Sequence, residues 1–519
     1  MALHGKHLIG GTRARAGSDS FYGVDATTQA LLEPAFTEAT SSEIETAALE
    51  AETAFRIFSR TSGEERAAFL EAIATEIEAL GDALPERAHQ ETGLPLARLT
   101  GERARTCAQL RLFAGVAREG NWVDARIDQA LPDRKPLPRP DVRRLLRALG
   151  PVAVFGASNF PLAFSAAGGD TASAFATGNT VVVKAHPAHP GTSELVAEAI
   201  VKATARCKLP PGIFSLIHGR LPETSVALVR HPAIQAVGFT GSHTAGRALF
   251  DAACARPRPI PVFAEMSSVN PVFVLPQALR TSGAGIAEGL KNSFTLGVGQ
   301  FCTKPGIVFG IASPEWEAFI DTFVTRAKAV PAGTMLHAGI VTAFARSLEE
   351  LDPATWLVRG AVAVARVSAE QFRSDPSLAR ERFGPFTLLV TAESFEDLTS
   401  LAANLDGQLT STIHATGSDM TIAAPLADAL ERTAGRVLMN GFPTGVEVCH
   451  AMNHGGPYPA STDPRFTSVG TAALLRFTRP VCYQDFPDSL RPDALKDANP
   501  LGLLRLVDGQ TTRDPIGSA

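Results

Sequence analysis

The sequence has no long apolar run and no long basic run. None of its apolar stretches reaches the roughly 18 residues that a membrane-spanning helix needs, and segment 1–7 lacks the apolar core of a signal peptide. The formal net charge of the 519 residues is only −5, which gives no reason to expect a nucleic-acid surface. We therefore expect a cytoplasmic protein with no membrane partner and no nucleic-acid partner.

Closely spaced cysteines are absent as well. The six cysteines form no C-x-x-C pair and no metal-finger spacing; they are Cys107, Cys207, Cys254, Cys302, Cys449 and Cys482. Reduced thiols are expected rather than a disulfide framework, and no metal site is predicted. With 45% hydrophobic and 19% charged residues the composition is that of a globular protein. The length predicts roughly two to four domains.

The common phosphate-binding motifs are missing. No G-x-G-x-x-G follows a predicted strand, so the usual dinucleotide fingerprint is absent. Segment 241–247 has the glycine spacing of a Walker loop but lacks the lysine and hydroxyl that would bind phosphates and Mg²⁺. Gly241 and Ser242 still end a predicted strand and open a helix, where backbone N–H groups could bind a pyrophosphate. A simple turn with Ser242 as the N-cap is the other interpretation.

What the chain does contain is alternation of short strands and helices. After residue 150 the β-branched runs and the alanine-rich stretches predict strands at 152–155, 180–183 and 234–239 and helices at 163–177, 192–205 and from near 244. A second alternating region runs from 271 to about 450. This order predicts two doubly wound α/β domains, joined by a hinge at 265–271, with ligands at the carboxyl ends of the strands.

The first part of the chain and a proline-rich segment carry further structural signals. Residues 41–80 follow helical spacing and predict two helices, the first with a capping box formed by Ser42 and Glu45. Segment 131–140 is too rich in proline for a helix interior. The following residues 142–147 predict an exposed strand, at a sheet edge or in an assembly surface.

Cys302 and Glu265 form a candidate pair for nucleophilic chemistry. A thiol is a good nucleophile only as a thiolate, which a nearby acid or base can generate or use. The neighbours of both residues are small, polar or apolar, which suits a buried pocket. A buried inert cysteine and a solvated glutamate are the alternative interpretations of these two residues.

Several further runs follow one another in a specific order. They are 156–161 (Gly-Ala-Ser-Asn-Phe-Pro), 176–184 (Ala-Thr-Gly-Asn-Thr-Val-Val-Val-Lys), 239–242 (Phe-Thr-Gly-Ser), Glu265, 299–302 (Gly-Gln-Phe-Cys) and 381–385 (Glu-Arg-Phe-Gly-Pro). In these runs and their order the chain resembles the aldehyde dehydrogenase superfamily over nearly its whole length. Each run alone is a weak signal, whereas the complete set in order is specific.

The resemblance implies an aldehyde dehydrogenase-like α/β fold, with two doubly wound α/β domains and a small β oligomerisation element. The implied cofactor-binding domain covers 1–130 and 150–265, and the catalytic domain covers 266–471. The oligomerisation element and tail take 131–149 and 472–519. The family's habit further implies a homodimer or a homotetramer.

The resemblance also implies roles for three catalytic residues. Cys302 would attack the carbonyl of a small-molecule aldehyde and form a thiohemiacetal, while the Asn159 side chain would donate to the oxyanion. After hydride transfer a thioester would remain on Cys302, and Glu265 would activate the water that hydrolyses it. In this interpretation the cysteine opens the reaction and the glutamate closes it, so the two are not a self-contained nucleophile–base dyad.

The implied cofactor contacts are spread over the same runs. Lys184 would contact the adenosine ribose, Gly241 and Ser242 would meet the pyrophosphate, and Glu381 and Phe383 would hold the nicotinamide ribose and ring.

One departure from the family bears on the choice of cofactor. Many members carry a glutamate where this chain has Pro187, and that carboxylate accepts from the 2′-OH and would repel a 2′-phosphate. Lys184, His186 and Arg220 could instead neutralise such a phosphate. NADP is therefore the expected cofactor, with NAD as a possible one.

Other departures indicate a branch of the superfamily. Segment 168–171 has Asp170 in place of a common lysine, which puts any proton relay through that lysine in doubt. This segment, the Ala-His-Pro run and residues 453–460 resemble the 2,5-dioxovalerate (α-ketoglutarate semialdehyde) dehydrogenases. Asn453 and His454 are predicted near the substrate entrance or in a rigid Gly-Pro loop.

The resemblance thus implies oxidation of α-ketoglutarate semialdehyde to 2-oxoglutarate. The alternatives are an NADP-dependent long-chain (fatty) aldehyde dehydrogenase, a coenzyme-A-acylating dehydrogenase and a non-catalytic binding protein. Retention of Glu265 favours water as the acyl acceptor over a thiol. Retention of Cys302, Glu265 and Asn159 together argues against a non-catalytic protein.

Overall fold

A computed structural model describes residues 2–517, which form β-strands, α-helices and short 3-10 turns in close alternation. The strands are β1 (His7–Ile9), β2 (Thr12–Ala14), β3 (Ser20–Val24), β4 (Leu31–Thr37), β5 (Arg126–Asp128), β6 (Val142–Ala148), β7 (Val152–Phe155), β8 (Val181–Lys184), β9 (Phe214–Ile217), β10 (Ala236–Thr240), β11 (Val262–Glu265), β12 (Val272–Val274), β13 (Ile307–Ile311), β14 (Trp356–Arg359), β15 (Ala363–Ser368), β16 (Phe386–Ala392), β17 (Gln408–His414), β18 (Ala434–Met439), β19 (Thr478–Gln484), β20 (Arg505–Val507) and β21 (Gln510–Thr512). The helices are α1 (Ser41–Phe58), α2 (Gly63–Glu78), α3 (Ala83–Thr92), α4 (Leu96–Glu119), α5 (Gly169–Thr177), α6 (Pro190–Arg206), α7 (Pro222–Arg230), α8 (His243–Cys254), α9 (Pro276–Thr295), α10 (Pro314–Lys328), α11 (Ala338–Glu349), α12 (Ala369–Ser374), α13 (Phe395–Ala403) and α14 (Met420–Glu431).

The first large sheet has the strand order β11-β10-β7-β8-β9-β1-β2. The strands from β11 to β9 are parallel, whereas β1 and β2 add antiparallel at one edge. Both faces are covered, because Val181 and Val183 of β8 pack into one apolar cluster and Val182 into another. Burial on both faces explains why these strands read as continuous apolar runs in the sequence.

The second large sheet has the order β14-β15-β16-β13-β12-β17-β18. Its strands from β15 to β18 are parallel, and only β14 pairs antiparallel. Phe273 and Phe309 pack on one face, and Val272 and Val308 pack on the other. The predicted pair of doubly wound sheets is therefore present. Glu265 ends the last strand of the first sheet, and β12 begins the second.

A third, smaller sheet joins distant parts of the chain in the order β19-β6-β5-β20-β21. Residues 142–147 form a strand as predicted, but of the two predicted placements the sheet edge is wrong, because β6 pairs with β19 on one side and β5 on the other. Its partner β19 lies more than three hundred residues away in sequence, so local patterning could not reveal it. Because β5 belongs to this sheet, the sheet begins before residue 131, and the domain boundaries stay a prediction.

The two helices predicted within residues 41–80 are present, but the capping box of the first one differs from the prediction. α1 and α2 occupy 41–80 as expected, yet the capping box of α1 is formed by Thr40 and Glu43 rather than by Ser42 and Glu45. Glu43 also accepts a hydrogen bond from the backbone N–H of Ala16 at 2.8 Å, so a tertiary contact helps to fix the helix start. The helix predicted at 163–177 begins only at Gly169.

Within residues 2–517, no helix combines the length and the apolar character needed to cross a membrane.

Candidate active site

Neighbouring parallel strands of the first sheet end at one cavity. Asn159 lies in the loop after β7, Ser242 follows β10, and Glu265 is the last residue of β11. Because these strands pair side by side, their carboxyl ends place the three residues around a cavity of about 470 Å³ that Cys302 also lines. The cavity is in the position where doubly wound sheets bind ligands.

The turn that carries Cys302 is held from two sides. The Asn270 side-chain amide donates to the backbone carbonyl of Cys302 at 2.8 Å and to that of Lys304 at 3.0 Å. Gly299 has a φ of +67°, and a β-carbon there would collide with the carbonyl of Gly384. The glycine is therefore required both by the backbone conformation and by the close approach of the neighbouring segment.

Cys302, His454 and Glu265 form a connected group. The Cys302 Sγ atom lies 3.4 Å from His454 Nε2, and the same nitrogen lies 2.9 Å from Glu265 Oε1. The thiol, imidazole and carboxylate atoms all lie within 4.8 Å of one another. The histidine therefore stands between the nucleophile and the acid, in position to exchange protons with both.

The loop that carries His454 also orients Glu265. Ser468 donates its hydroxyl proton to Glu265 Oε2 at 2.5 Å, and its backbone N–H donates to the carbonyl of His454 at 2.8 Å. Thr467 accepts from the backbone N–H of His454 at 2.7 Å. The loop is tied to β11 by a hydrogen bond from the backbone N–H of Met266 to the carbonyl of Ala460 at 2.8 Å. These bonds fix the imidazole and the carboxylate relative to each other.

The environment shifts the two acidic groups in opposite directions. Burial raises the pKa of Cys302 well above its ordinary value, and the negative charge of Glu265 adds to that effect. Burial also acts to raise the pKa of Glu265, but the charge of His454 and hydrogen bonds from His454 and Ser468 lower it on balance. At neutral pH the cysteine is therefore a thiol and the glutamate a carboxylate. The thiol needs a base to become a nucleophile.

Asn159 lines the cavity beside Cys302. The Asn159 side-chain amide donates to the backbone carbonyl of Gln300 at 2.9 Å. The backbone carbonyl of Asn159 accepts from the Arg98 guanidinium at 2.7 Å. An amide nitrogen has two N–H groups, so one remains available for an oxyanion formed at Cys302.

The predicted cofactor residues divide into two groups. His186, Gly241, Ser242, Glu381 and Phe383 line the same cavity as Cys302. Ser242 is also the N-cap of α8 and accepts from the backbone N–H of Ala245 at 3.3 Å. A hydroxyl can accept one hydrogen bond and donate another, so the cap leaves the hydroxyl proton of Ser242 free for a phosphate oxygen. The cap and phosphate interpretations are thus compatible.

Lys184 and Arg220 are not among the residues that line the cavity. Lys184 is buried at the end of β8, where burial lowers its pKa to about 8 and the charge of Glu38 opposes this effect. The Glu38 carboxylate accepts from the backbone N–H groups of Arg220 and Leu221 at 2.9 and 3.2 Å. An acid that sequence reasoning did not identify is therefore close to the predicted 2′-phosphate site.

His186 lines the cavity as a neutral imidazole. Burial lowers its pKa well below the ordinary value, and the charges of His189 and Lys184 act in the same direction. The ring stacks on His189 with a centroid separation of 5.2 Å. His186 could therefore stack or form a hydrogen bond, but it would not supply the positive charge that the sequence interpretation assigned to it.

Glu381 lines the cavity next to a buried lysine. Burial raises its pKa, while the charge of Lys304 acts to lower it. The Lys304 ammonium donates to the carbonyls of Arg382 and Phe386, each at 2.9 Å. The lysine thereby holds the 381–386 segment against the turn that carries Cys302.

Asp170, which stands where many family members have a lysine, forms a buried ion pair with Arg476 at 2.7 Å. The position is therefore occupied by an acid that is bound to a cation. No lysine relay to Glu265 can run through it.

Sequence reasoning missed Ser468 and did not identify the position of His454. The sequence placed His454 near the substrate entrance or in a rigid Gly-Pro loop, whereas the structure places it between Cys302 and Glu265. The only local signal was a histidine next to Gly455 and Gly456. Such a motif is equally typical of a rigid turn.

Comparisons with known proteins agree with this geometry. A sequence model of the Aldehyde dehydrogenase family matches residues 23–347. The chain is 50% identical to alpha-ketoglutaric semialdehyde dehydrogenase 2 of Azospirillum brasilense, over 98% of this chain and 100% of that protein. It is 47% identical to alpha-ketoglutaric semialdehyde dehydrogenase of Acinetobacter baylyi, over 98% of this chain and 99% of that protein. The resemblance predicted from the motifs is confirmed.

Solved structures show the same fold at low sequence identity. A point mutant of betaine aldehyde dehydrogenase of Staphylococcus aureus in complex with NAD+ is 19% identical, with a TM-score of 0.79 over 94% of this chain and 98% of that chain. NADP-dependent glyceraldehyde-3-phosphate dehydrogenase of Bacillus halodurans, complexed with NADP, is 21% identical, with a TM-score of 0.78 over 93% and 99%. The predicted fold class is confirmed.

Proposed function

The chain belongs to the aldehyde dehydrogenase family, and from this premise we propose that it oxidises α-ketoglutarate semialdehyde to 2-oxoglutarate with NAD(P). The observation that carries the proposal is the contact of Cys302, His454 and Glu265 at a cofactor-sized cavity. The semialdehyde is the substrate named for two relatives that match nearly the whole chain at 50% and 47% identity.

The first step is activation of the thiol. Because burial raises the pKa of Cys302, its proton has to be removed as the aldehyde arrives. In its neutral tautomer with the proton on Nδ1, His454 accepts this proton at Nε2, which lies 3.4 Å from the sulfur. The carboxylate of Glu265, at 2.9 Å from the same nitrogen, stabilises the resulting imidazolium.

The second step is attack of the Cys302 thiolate on the aldehyde carbon. The carbonyl oxygen becomes an oxyanion, and Asn159 donates the amide N–H that Gln300 does not use. A preorganised donor of this kind lowers the barrier by about 3–4 kcal/mol. The product of this step is a thiohemiacetal on Cys302.

The cavity fits a nicotinamide dinucleotide. Its volume of about 470 Å³ is within the usual range for ligand pockets, and it reaches from the start of α8 to Cys302. Ser242 would bind the pyrophosphate, and Glu381 and Phe383 would hold the nicotinamide ribose and ring. When bound there, a nicotinamide would supply the hydride acceptor for the thiohemiacetal held on Cys302.

The last step is hydrolysis of the thioester on Cys302. Glu265 is ionised at neutral pH and lies next to the sulfur, so it can take a proton from the attacking water. Ser468 keeps the other carboxylate oxygen in place. His454 can return a proton to the leaving thiolate, which restores the resting group.

NADP is the proposed preferred cofactor, and NAD is accepted as well. Many family members have a glutamate near the 2′ position of the adenosine ribose, and this chain has Pro187 there. Lys184 would supply a cation near the same position. Glu38 limits the preference, because its charge acts on Lys184 and would repel a 2′-phosphate. The balance of these two charges would set the ratio of the two activities.

A homodimer or homotetramer is the proposed assembly. β18 is an open edge of the second sheet and exposes Val437 and Met439, whose side chains are 39% and 46% accessible. β19 is an open edge of the third sheet. Edge strands with exposed apolar residues invite pairing with another chain.

A long-chain aldehyde is the second candidate substrate. Phe160, Phe164 and Phe301 form an aromatic cluster next to Cys302, with ring centroids 5.3 and 5.4 Å apart. Such a cluster would accept an apolar chain.

The test is a comparison of kcat/KM for α-ketoglutarate semialdehyde, succinic semialdehyde and a long-chain aldehyde, each with NAD and with NADP. We expect the highest value for α-ketoglutarate semialdehyde with NADP. A preference for the long-chain aldehyde would reject the proposed substrate but would not contradict the proposed mechanism. Cys302→Ala should abolish turnover and retain NADP binding, and residual turnover would reject the thiol mechanism.

A further inference from the structure

Two arginines near Cys302 have unused hydrogen-bonding capacity. Arg105 is on α4 and Arg436 is on β18, and the Nε atom of each is buried without a hydrogen-bond partner. Within residues 2–517, neither guanidinium forms an ion pair. By contrast, Arg476, another buried arginine of this region, is bound to Asp170.

The charges of both arginines act on the reacting sulfur. Burial lowers the pKa of Arg105 and of Arg436, and the negative charge of Cys302 opposes this effect for both. Conversely, the charge of Arg105 acts to lower the pKa of Cys302. Neither arginine lines the cofactor cavity, so these two cations approach Cys302 from outside that cavity.

Three glutamates, Glu102, Glu447 and Glu265, act on the charge of Arg105 without forming an ion pair with it. Glu102 accepts at Oε1 from the backbone N–H groups of Leu162 and Ala163 at 2.9 and 3.0 Å, and burial raises its pKa. Glu447 also acts on the charge of Arg105, but it is exposed and forms no ion pair with it. The guanidinium therefore keeps its capacity for an external anion.

Aromatic rings hold the Arg105 guanidinium in place. Its central carbon lies 5.7 Å from the ring of Phe160 and 5.5 Å from that of Phe164. Phe160 in turn packs edge-on against Phe301, the neighbour of Cys302, at 5.3 Å. These ring contacts hold the guanidinium without using its N–H groups in conventional hydrogen bonds, so those groups can still bind a planar anion.

We infer that Arg105, assisted by Arg436, binds the carboxylate of an α-keto acid semialdehyde while its aldehyde reaches Cys302. The inference rests on the proposed function, because it deepens the identity of that substrate. In an extended five-carbon chain the carboxylate carbon lies roughly 5 Å from the aldehyde carbon, so both ends of the substrate belong to one pocket. A carboxylate would satisfy the donors of Arg105, whereas Arg436, which already donates to the carbonyl of Pro443 at 2.8 Å, would contribute mainly its charge.

The test compares charged and uncharged aldehydes in Arg105→Met. Arg111→Met is the matched control, because Arg111 is on the same helix but is exposed and paired with Glu78 at 2.7 Å. We expect Arg105→Met to lower kcat/KM for α-ketoglutarate semialdehyde by about 10- to 100-fold, mainly through KM, as expected for loss of a charged hydrogen bond. Turnover of pentanal should fall much less, because the lost charge of Arg105 acts on Cys302 alike for every aldehyde, and Arg111→Met should change neither.

Arg105→Lys provides a milder second variant. It keeps the charge but not the planar fork, so we expect an intermediate loss on the charged aldehyde alone. Binding of 2-oxoglutarate, measured by calorimetry, should weaken in parallel, and this readout does not depend on turnover.

The outcomes separate this inference from the substrate assignment. The wild type could prefer another carboxylated aldehyde, such as succinic semialdehyde, over the uncharged butanal. If Arg105→Met removes that preference, the carboxylate subsite is supported and only the proposed substrate is rejected. Equal losses on charged and uncharged aldehydes would show a structural role and overturn the subsite. Unchanged 2-oxoglutarate binding in both variants would overturn it as well.

Discussion

His454 can be tested by a single substitution that keeps a polar side chain. His454→Gln retains hydrogen-bonding capacity but removes the nitrogen that can take the proton of Cys302. His450→Gln is the matched control, because His450 lies in the same loop but is exposed and forms a hydrogen bond with Thr471 at 3.2 Å. We expect the first variant to lose thiol activation and the second to retain it.

The magnitude follows from the geometry. A thiolate and an imidazolium 3.4 Å apart attract each other by ~5 kcal/mol at an effective dielectric constant of about 20. Part of this energy is opposed by repulsion between Cys302 and Glu265, which raises the pKa of Cys302. General-base catalysis typically contributes about 10²- to 10⁴-fold. We therefore expect His454→Gln to lower kcat/KM by about 10³-fold.

The assay follows the reactivity of the sulfur and not only turnover. Alkylation of the Cys302 peptide by iodoacetamide, quantified by mass spectrometry, is measured from about pH 6 to about pH 10. Because burial raises the pKa of Cys302, the variant should become reactive only at the alkaline end. The wild type should react at lower pH, where His454 supports the thiolate.

A burst of reduced cofactor gives the decisive second measurement. In His454→Gln the burst should slow together with alkylation. If the burst and the alkylation profile both match the wild type, His454 is not the base for Cys302. In that case its contact with Glu265 would serve deacylation alone.

Three further expectations concern charges around the site. Glu265→Gln should still release a burst of reduced cofactor, slowed by loss of the charge that stabilises the His454 imidazolium, and then stall, because the thioester lacks its hydrolytic base; complete loss of the burst would make its role before hydride transfer the essential one. Glu38→Gln should raise the ratio of NADP-dependent to NAD-dependent activity, because it removes an acid near Lys184. An unchanged ratio would show that Glu38 does not influence binding of the 2′-phosphate. Asp170→Asn should lower the free energy of unfolding by about 3–5 kcal/mol, since it leaves Arg476 buried without its partner; denaturant titration measures this, and an unchanged midpoint would contradict it.

Local patterning was sufficient for much of the fold. The apolar runs at 152–155 and 180–183 predicted buried parallel strands, because a strand covered on both faces needs apolar residues at every position. Where the prediction failed, the cause was a long-range contact. β6 looked like an edge strand because the sequence does not reveal that β19 pairs with it.

The same division applies to the site. Cys302, Glu265 and Asn159 stand in ordered motifs, so the sequence alone could nominate them, and the structure brings them to one cavity. Their roles stay proposals until the variants are measured. Motif order could not reveal the state of His186, because its neutrality depends on burial and on the neighbouring charges.

By itself the sequence determined the family and the two α/β sheets, and it nominated Cys302 as the thiol that would open the reaction. Only the tertiary structure brings a candidate base, His454, to that thiol. His454 is 152 positions from Cys302 and is one of twelve histidines, so no local pattern singles it out. It reaches the sulfur because the loop it belongs to returns along β11, where Ala460 and Thr462 bond to the backbone on either side of Glu265. Proton transfer depends on distances of about 3 Å, and such distances between remote residues are set by packing and not by sequence order.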